Sequence, residues 1–157
     1  MKKLLPLIMM GFLISLNANE QHLSKILTQY MAAWNEHNLT KIDSFYADDV
    51  IWYDLTYDYT TKGKVNVSKA ITEAFLGNVH DMYWVQSGDS FTSENTIIYE
   101  WVYGGTFSGE FNGTKVINRE FEIKGLSTTM INKSNKIIKH KDYYDLSSFK
   151  RQLGLIK

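Results

Sequence analysis

Near the C-terminus a histidine and an aspartate stand two residues apart in Lys136-Ile137-Ile138-Lys139-His140-Lys141-Asp142-Tyr143-Tyr144-Asp145. The segment alternates like a half-buried strand. Ile138, His140, Asp142 and Tyr144 share one face, and Ile137, Lys139, Lys141, Tyr143 and Asp145 share the other. The second face carries three charges and reads as the wetted one. Asp142 is therefore expected on the less charged face, where a carboxylate is costly unless it is paired, protonated or used. Desolvation there would raise its proton affinity. A carboxyl group so tuned suits general acid or base work, a role worth about 10²–10⁴ in rate. The alternative is a rim aspartate that only bonds the backbone. His140 on the same face is either a partner that shares the proton or a polar wall residue. Asp54, two residues after Trp52 in a second alternating stretch, is the third candidate. Two carboxylates facing one apolar cavity push their pKa values apart, leaving one acid and one base. Otherwise Asp54 caps the loop Thr56 to Lys62.

Other chemistries find little support. The four histidines, His22, His37, His80 and His140, have no metal-ligand spacing, and the chain has no cysteine. No metal and no cofactor is expected. A glycine-rich phosphate loop and a GxSxG nucleophile elbow are both missing. Aromatic residues make up 14% of the chain. That abundance fits either a well-filled core or a cavity walled by rings.

The elements that position these residues follow from periodicity. Leu23, Ile26, Leu27, Tyr30, Met31 and Trp34 recur at helical spacing, predicting a helix over residues 21–37 with Trp34 on its inner stripe. Thr40-Lys41-Ile42-Asp43 predicts a capping box opening a short helix through Tyr46, and Asp48-Asp49 a turn. Residues 50–55 read as a strand. A third helix follows Gly63, with Val67, Ile71, Ala74 and Phe75 on one face and Gly77 as its stop. Residues 80–87, 96–106, 117–131 and 136–145 are strand-like, joined by polar or glycine-bearing connections at Ser87 to Asn95, Ser108 to Lys115 and Asn132 to Asn135. Gly104 to Gly113 reads as a hairpin connection or a mobile lid. Helices followed by a run of antiparallel strands predict a single α+β domain.

Lys2 and Lys3 followed by the apolar run Leu4 to Leu16 read as a secretory leader, residues 1–18, with cleavage after Ala18. The run is short of the roughly 20 apolar residues a membrane span needs. An uncleaved anchor is the alternative. The remaining domain, 19–157, would hold 15 basic and 17 acidic side chains. That balance gives no reason to bind nucleic acid or an anionic membrane. The expected setting is the bacterial periplasm or the secreted fraction.

The order helix, helix, strand, helix, four strands resembles the nuclear transport factor 2-like cone fold, and in particular its SnoaL-like domains. Trp34-Asn35, Phe45 to Val50 and Trp52 look like the opening of those domains. Gly105-Thr106-Phe107-Ser108-Gly109 resembles their glycine-threonine turn, with Phe107 where histidine is usual. Lys136-Ile137, Asp142 to Leu146 and Gln152-Leu153-Gly154 resemble their closing strand and tail. The likeness covers roughly residues 22–155 and is distant to polyketide cyclases and limonene epoxide hydrolase.

The resemblance implies a pocket inside a strongly curved, antiparallel or mixed sheet, closed by the N-terminal helices, with dimerisation through the outer sheet face. It also implies that Asp142 matches the last-strand catalytic aspartate of the epoxide hydrolase branch and that Asp54 orients water or substrate. That branch carries arginine and a second aspartate where Trp101 and Tyr103 stand here, so its hydrolytic mechanism is not expected. Trp101 and Tyr103, with Trp34, Trp52 and Tyr144, would instead wall a site for a small hydrophobic, ring-bearing molecule. Tyr53, Tyr57 and Tyr59 would rim the mouth. The expectation is an acid/base enzyme of isomerase, cyclase or dehydratase type, with a non-catalytic binding protein as the alternative.

Overall fold

The structure is a computed structural model that describes the backbone of residues 5–157 and the side chains of residues 18–157. The expected leader therefore lies almost wholly outside the described side chains. Among the described residues no helix is long and apolar enough to cross a membrane.

The first helix, α1 (Leu5–Asn35), buries the predicted stripe Leu23, Ile26, Leu27, Tyr30, Met31 and Trp34. It stops two residues before the expected end. His37 takes φ +53°, and Asn38 N–H returns to the Ala33 carbonyl at 3.2 Å, which closes the last turn. The second helix, α2 (Leu39–Ser44), is capped by Asn38 rather than by a box at Thr40. The Asn38 side chain accepts from Lys41 N–H at 3.0 Å, and asparagine is the stronger cap. A third helix, α3 (Lys64–Ala70), runs on as a π-helical segment, Ile71–Leu76, and ends at Gly77.

Six strands form one open mixed sheet in the order β2-β1-β6-β5-β4-β3. They are β1 (Tyr46–Asp54), β2 (Tyr59–Lys62), β3 (Tyr83–Ser93), β4 (Thr96–Phe111), β5 (Thr114–Ile131) and β6 (Ile137–Tyr144). Only the β1–β6 pair is parallel. A last helix, α4 (Leu146–Gln152), packs on β5 and is capped by Asp145. The α+β architecture is the expected one, with α1 against β3 and β4, and α3 against β1.

Several local expectations are corrected. Asp48 and Asp49 lie inside β1 at a β-bulge, so polar residues that look like a turn mark an irregular, exposed strand segment. The Thr56 to Lys62 loop contains the edge strand β2, four residues that are too few to show alternation. The polar stretches after Ser87 and Ser108 are mostly strand, because these faces meet water. The β4–β5 turn shrinks to Asn112-Gly113, with φ +49° and +79°, the two-residue geometry that asparagine and glycine favour. There is neither a lid nor a long connection at Gly104 to Gly113.

The phase of β6 is corrected at one residue. The register slips between Met130 and Ile131, so Ile137 pairs with Ile131 and Lys139 with Met130. The extra residue, Ile138, is bulged. Ile137 turns inward and is buried, while His140, Asp142 and Tyr144 keep the predicted inward face.

One glycine fixes the wall of that face. Gly125 on β5 sits opposite Trp101 on β4, and an added Cβ there would overlap the indole. The absent side chain lets Trp101 lie across the strand. Gly125→Ala is expected to displace Trp101 and cost about 1–3 kcal/mol of stability. Urea denaturation with near-ultraviolet circular dichroism measures both effects, and unchanged values would contradict this packing.

Candidate functional site

The inward faces of β1, β6, β5 and β4 bring polar residues into adjacent rows. Trp52, His140 and Thr129 lie side by side, and so do Asp54, Asp142 and Ser127. Tyr144, Gly125 and Trp101 form the next row. Long side chains then reach diagonally from one row to the next.

Asp142 is the meeting point of these reaches. Its Oδ2 accepts from Trp52 Nε1 at 2.6 Å. Its Oδ1 accepts from Ser127 Oγ at 2.5 Å and from His140 Nε2 at 3.0 Å. Ser127 Oγ is itself held by Trp101 Nε1 at 2.7 Å. The second ring nitrogen of His140, Nδ1, meets the Thr129 hydroxyl at 2.9 Å, and Thr129 meets Tyr99 OH at 3.3 Å. An ionised carboxylate offers about four acceptor positions. Three are taken, which leaves one on Oδ2.

These partners reverse one expectation. Burial alone would push the Asp142 carboxyl up. The electrostatic attraction of His140 outweighs it, together with hydrogen bonds from His140, Ser127 and Trp52, and holds the group below its usual 3.8. The donors around Asp142 favour its ionised form and do not tune it toward neutrality. Asp54 moves the other way. Burial raises its proton affinity and the nearby Asp142 charge adds to the rise, against hydrogen bonds from Tyr144 and from the backbone of Tyr57 and Thr56. The two carboxylates are therefore pushed apart as expected, with Asp142 as the lower one. Asp54 also caps the following turn, accepting from Thr56 and Tyr57 N–H at 2.8 and 3.2 Å, while Tyr144 OH donates to its Oδ2 at 3.0 Å.

These groups face a cavity of about 510 Å³ inside the curve of the sheet. All eight residues singled out in the sequence line it: Asp142, His140 and Asp54, and the ring-bearing Trp34, Trp52, Trp101, Tyr103 and Tyr144. Tyr57 and Tyr59 are also at its wall, but Tyr53 points the other way, to Asp58. Trp84, expected in the core or the pocket wall, lines it too; residues not foreseen are Phe75 in the wall, Glu73 and Glu110 among the exposed lining residues, and the bracing pair Ser127 and Thr129. Inward alternation on β5 was the available signal for that pair, but their partners follow only from strand register.

The rings meet mostly edge to face. Trp34 is 6.0 Å from Trp52 and 5.8 Å from Trp84, each near-perpendicular or steeply tilted, and Trp52 lies parallel to Phe75 at 5.9 Å. Behind them the Tyr30 and Tyr46 hydroxyls share a buried 2.5 Å hydrogen bond. Among the described residues Trp34 Nε1 is the one buried side-chain polar atom without a partner. Among the same residues no three His, Asp or Glu side chains converge as a metal would require.

The family model for SnoaL-like polyketide cyclases matches residues 24–153. Solved structures with similar folds include a candidate SnoaL-like polyketide cyclase from Shewanella putrefaciens, at TM-score 0.76 and 18% identity, covering 86% of this chain and 98% of that one. AclR of Streptomyces galilaeus, described as a candidate hydroxylase, aligns at TM-score 0.74 and 18% identity over 87% of each chain. A protein of ketosteroid isomerase-like fold from Catenulispora acidiphila, in complex with trimethylamine, aligns at 0.66 and 25% identity, over 83% of this chain and 93% of that one. A comparison with curated proteins finds no match.

Removing the Asp142 carboxylate strands three donors at once. Asp142→Ala is expected to cost about 3–5 kcal/mol at neutral pH, as for other broken buried pairs. Its lowered folded-state value means that its stabilisation is complete above pH 3.8 and is lost as pH falls through that lower value. The stability gap between wild type and Asp142→Asn should therefore narrow in acid. Urea denaturation from pH 7 to pH 3 measures it, and a gap that widens in acid would contradict the assignment.

Proposed function

The chain belongs to the SnoaL-like polyketide cyclase family, and from that premise we propose that it moves a proton on a small, ring-bearing, largely apolar molecule held in the cavity. The observation that carries this reading is the free acceptor position on Asp142 Oδ2, in a cavity otherwise walled mainly by rings. Asp142 is ionised at neutral pH, so it serves as the base and not as the acid. A C–H or O–H group placed at Oδ2 transfers its proton there, and the low-polarity surroundings strengthen every electrostatic term in that step. His140 does not reach the ligand through a free nitrogen, since both ring nitrogens are engaged. It acts through Asp142, by orienting the carboxylate. Tyr144, tied to Asp54, keeps lone pairs free to accept from a ligand hydroxyl or amine, which gives that pair an orienting role.

A second reading, ligand binding without turnover, has its own support. A carboxylate with lowered proton affinity is a weak proton acceptor. The two readings separate on one variant. Native mass spectrometry would identify the co-purifying molecule, and turnover of that molecule would then be compared between wild type and Asp142→Asn. The enzyme reading expects kcat to fall by about 10²–10⁴ with KM changed only modestly. A wild type that binds the molecule and never converts it, under conditions where the product would be detected, supports the binding reading instead. Turnover surviving in Asp142→Asn would remove Asp142 as the base.

The proposal extends to export. Lys2, Lys3 and the apolar run to Leu16 support a leader removed after Ala18. N-terminal sequencing of protein recovered from a bacterial periplasm should begin at Asn19, and an intact Met1 in the cytoplasmic fraction would contradict it.

A further inference from the structure

The cavity has a charge character that its apolar walls conceal. Four carboxylates line it, Asp54, Glu73, Glu110 and Asp142, and among the described residues no lysine or arginine does; the one lining histidine, His140, has both ring nitrogens engaged, by Asp142 and Thr129. The chain as a whole balances 17 basic against 17 acidic side chains, so this asymmetry belongs to the cavity and not to the composition. Glu73 has an exposed partner, Lys69 at 3.8 Å, whose ammonium stands outside the lining. Glu110 has no ion-pair partner within 4.0 Å among the described residues. The remaining walls include all four tryptophans of the chain.

Indole faces carry negative quadrupole potential and attract a cation within about 6 Å of the ring. Carboxylates in a cleft with low-dielectric walls reinforce that potential and repel anions. A neutral aromatic ligand would use the rings but gain nothing from the carboxylates. An anionic one would meet carboxylates and no lysine or arginine in the lining.

We propose that the substrate class of this cavity is a ring-bearing organic cation, such as a tertiary or quaternary ammonium compound, whose charged group lies against the indole walls and the Asp142 side. This rests on the reading of the cavity as the ligand site. It adds to that reading a charge requirement that ring-walled shape alone does not impose. Glu110 at the exposed end acts as an electrostatic guide, and Asp142 as the inner counter-charge.

The test uses three near-isosteric probes with the whole protein, by titration calorimetry at low salt: 3-hydroxyphenyltrimethylammonium, 3-tert-butylphenol and 3-hydroxybenzenesulfonate. The expected result is that the ammonium probe binds at least about tenfold more tightly than the neutral phenol, with the sulfonate weakest. The preference should shrink in Glu110→Gln, whose exposed position leaves folding intact, and shrink further in Asp142→Asn. Added salt should narrow it as well. Binding of 3-tert-butylphenol as tightly as the ammonium compound, or tightest binding of the sulfonate, would overturn the charge requirement while leaving the ligand site standing. Binding of none of the three would overturn the ligand-site reading and the proposal with it.

Discussion

The site depends on one ionised carboxylate held inside a shell of rings. Asp142 is tolerable there only because Trp52, Ser127 and His140 all donate to it. Each of those donors needs its own support. Ser127 is fixed by the Trp101 indole, His140 by Thr129, and Trp101 lies flat only because Gly125 has no side chain. The carboxylate thus constrains four strands, and a change in any brace reaches the group that faces the cavity.

The fold supplies this arrangement through register. The parallel β1–β6 pairing sets Trp52 beside His140 and Asp54 beside Asp142, while the antiparallel β5–β6 pairing sets Ser127 beside Asp142. A slip of one residue in either ladder would turn the whole polar row to the outer face. The bulge at Ile138 matters for that reason. It brings Ile137 into the core and leaves the inward phase of His140 and Asp142 undisturbed. Below the polar row, the Tyr30–Tyr46 hydroxyl pair lets two large side chains be fully buried without an unsatisfied hydroxyl.

Much of this was legible in the sequence, and the exceptions have physical causes. Helical spacing from Leu23 to Trp34 and strict alternation through His140, Asp142 and Tyr144 identified the faces that line the cavity, because both periodicities report burial directly. The edge strand β2 and the polar halves of β3, β4 and β5 escaped notice because strands that meet water lose the apolar signal. Ser127 and Thr129 are ordinary strand residues until pairing puts them beside Asp142 and His140. The proton affinity of Asp142 was misjudged for the same reason. Burial was visible in the alternation, but the three donors that outweigh it come from β1, β5 and β6 and meet only in the folded protein.

A carboxylate that keeps one acceptor position open toward a ring-walled cavity without lysine or arginine in its lining is the feature on which both proposals, base chemistry and a cationic ligand, rest. Its three donors favour the ionised form over the neutral one. The direct measurement is a carbon-13 NMR titration of the Asp142 carboxyl resonance in the ligand-free protein. The account predicts a midpoint below the usual 3.8, shifting upward when Ser127 is replaced by alanine. A midpoint well above 3.8 in the wild-type protein would contradict it.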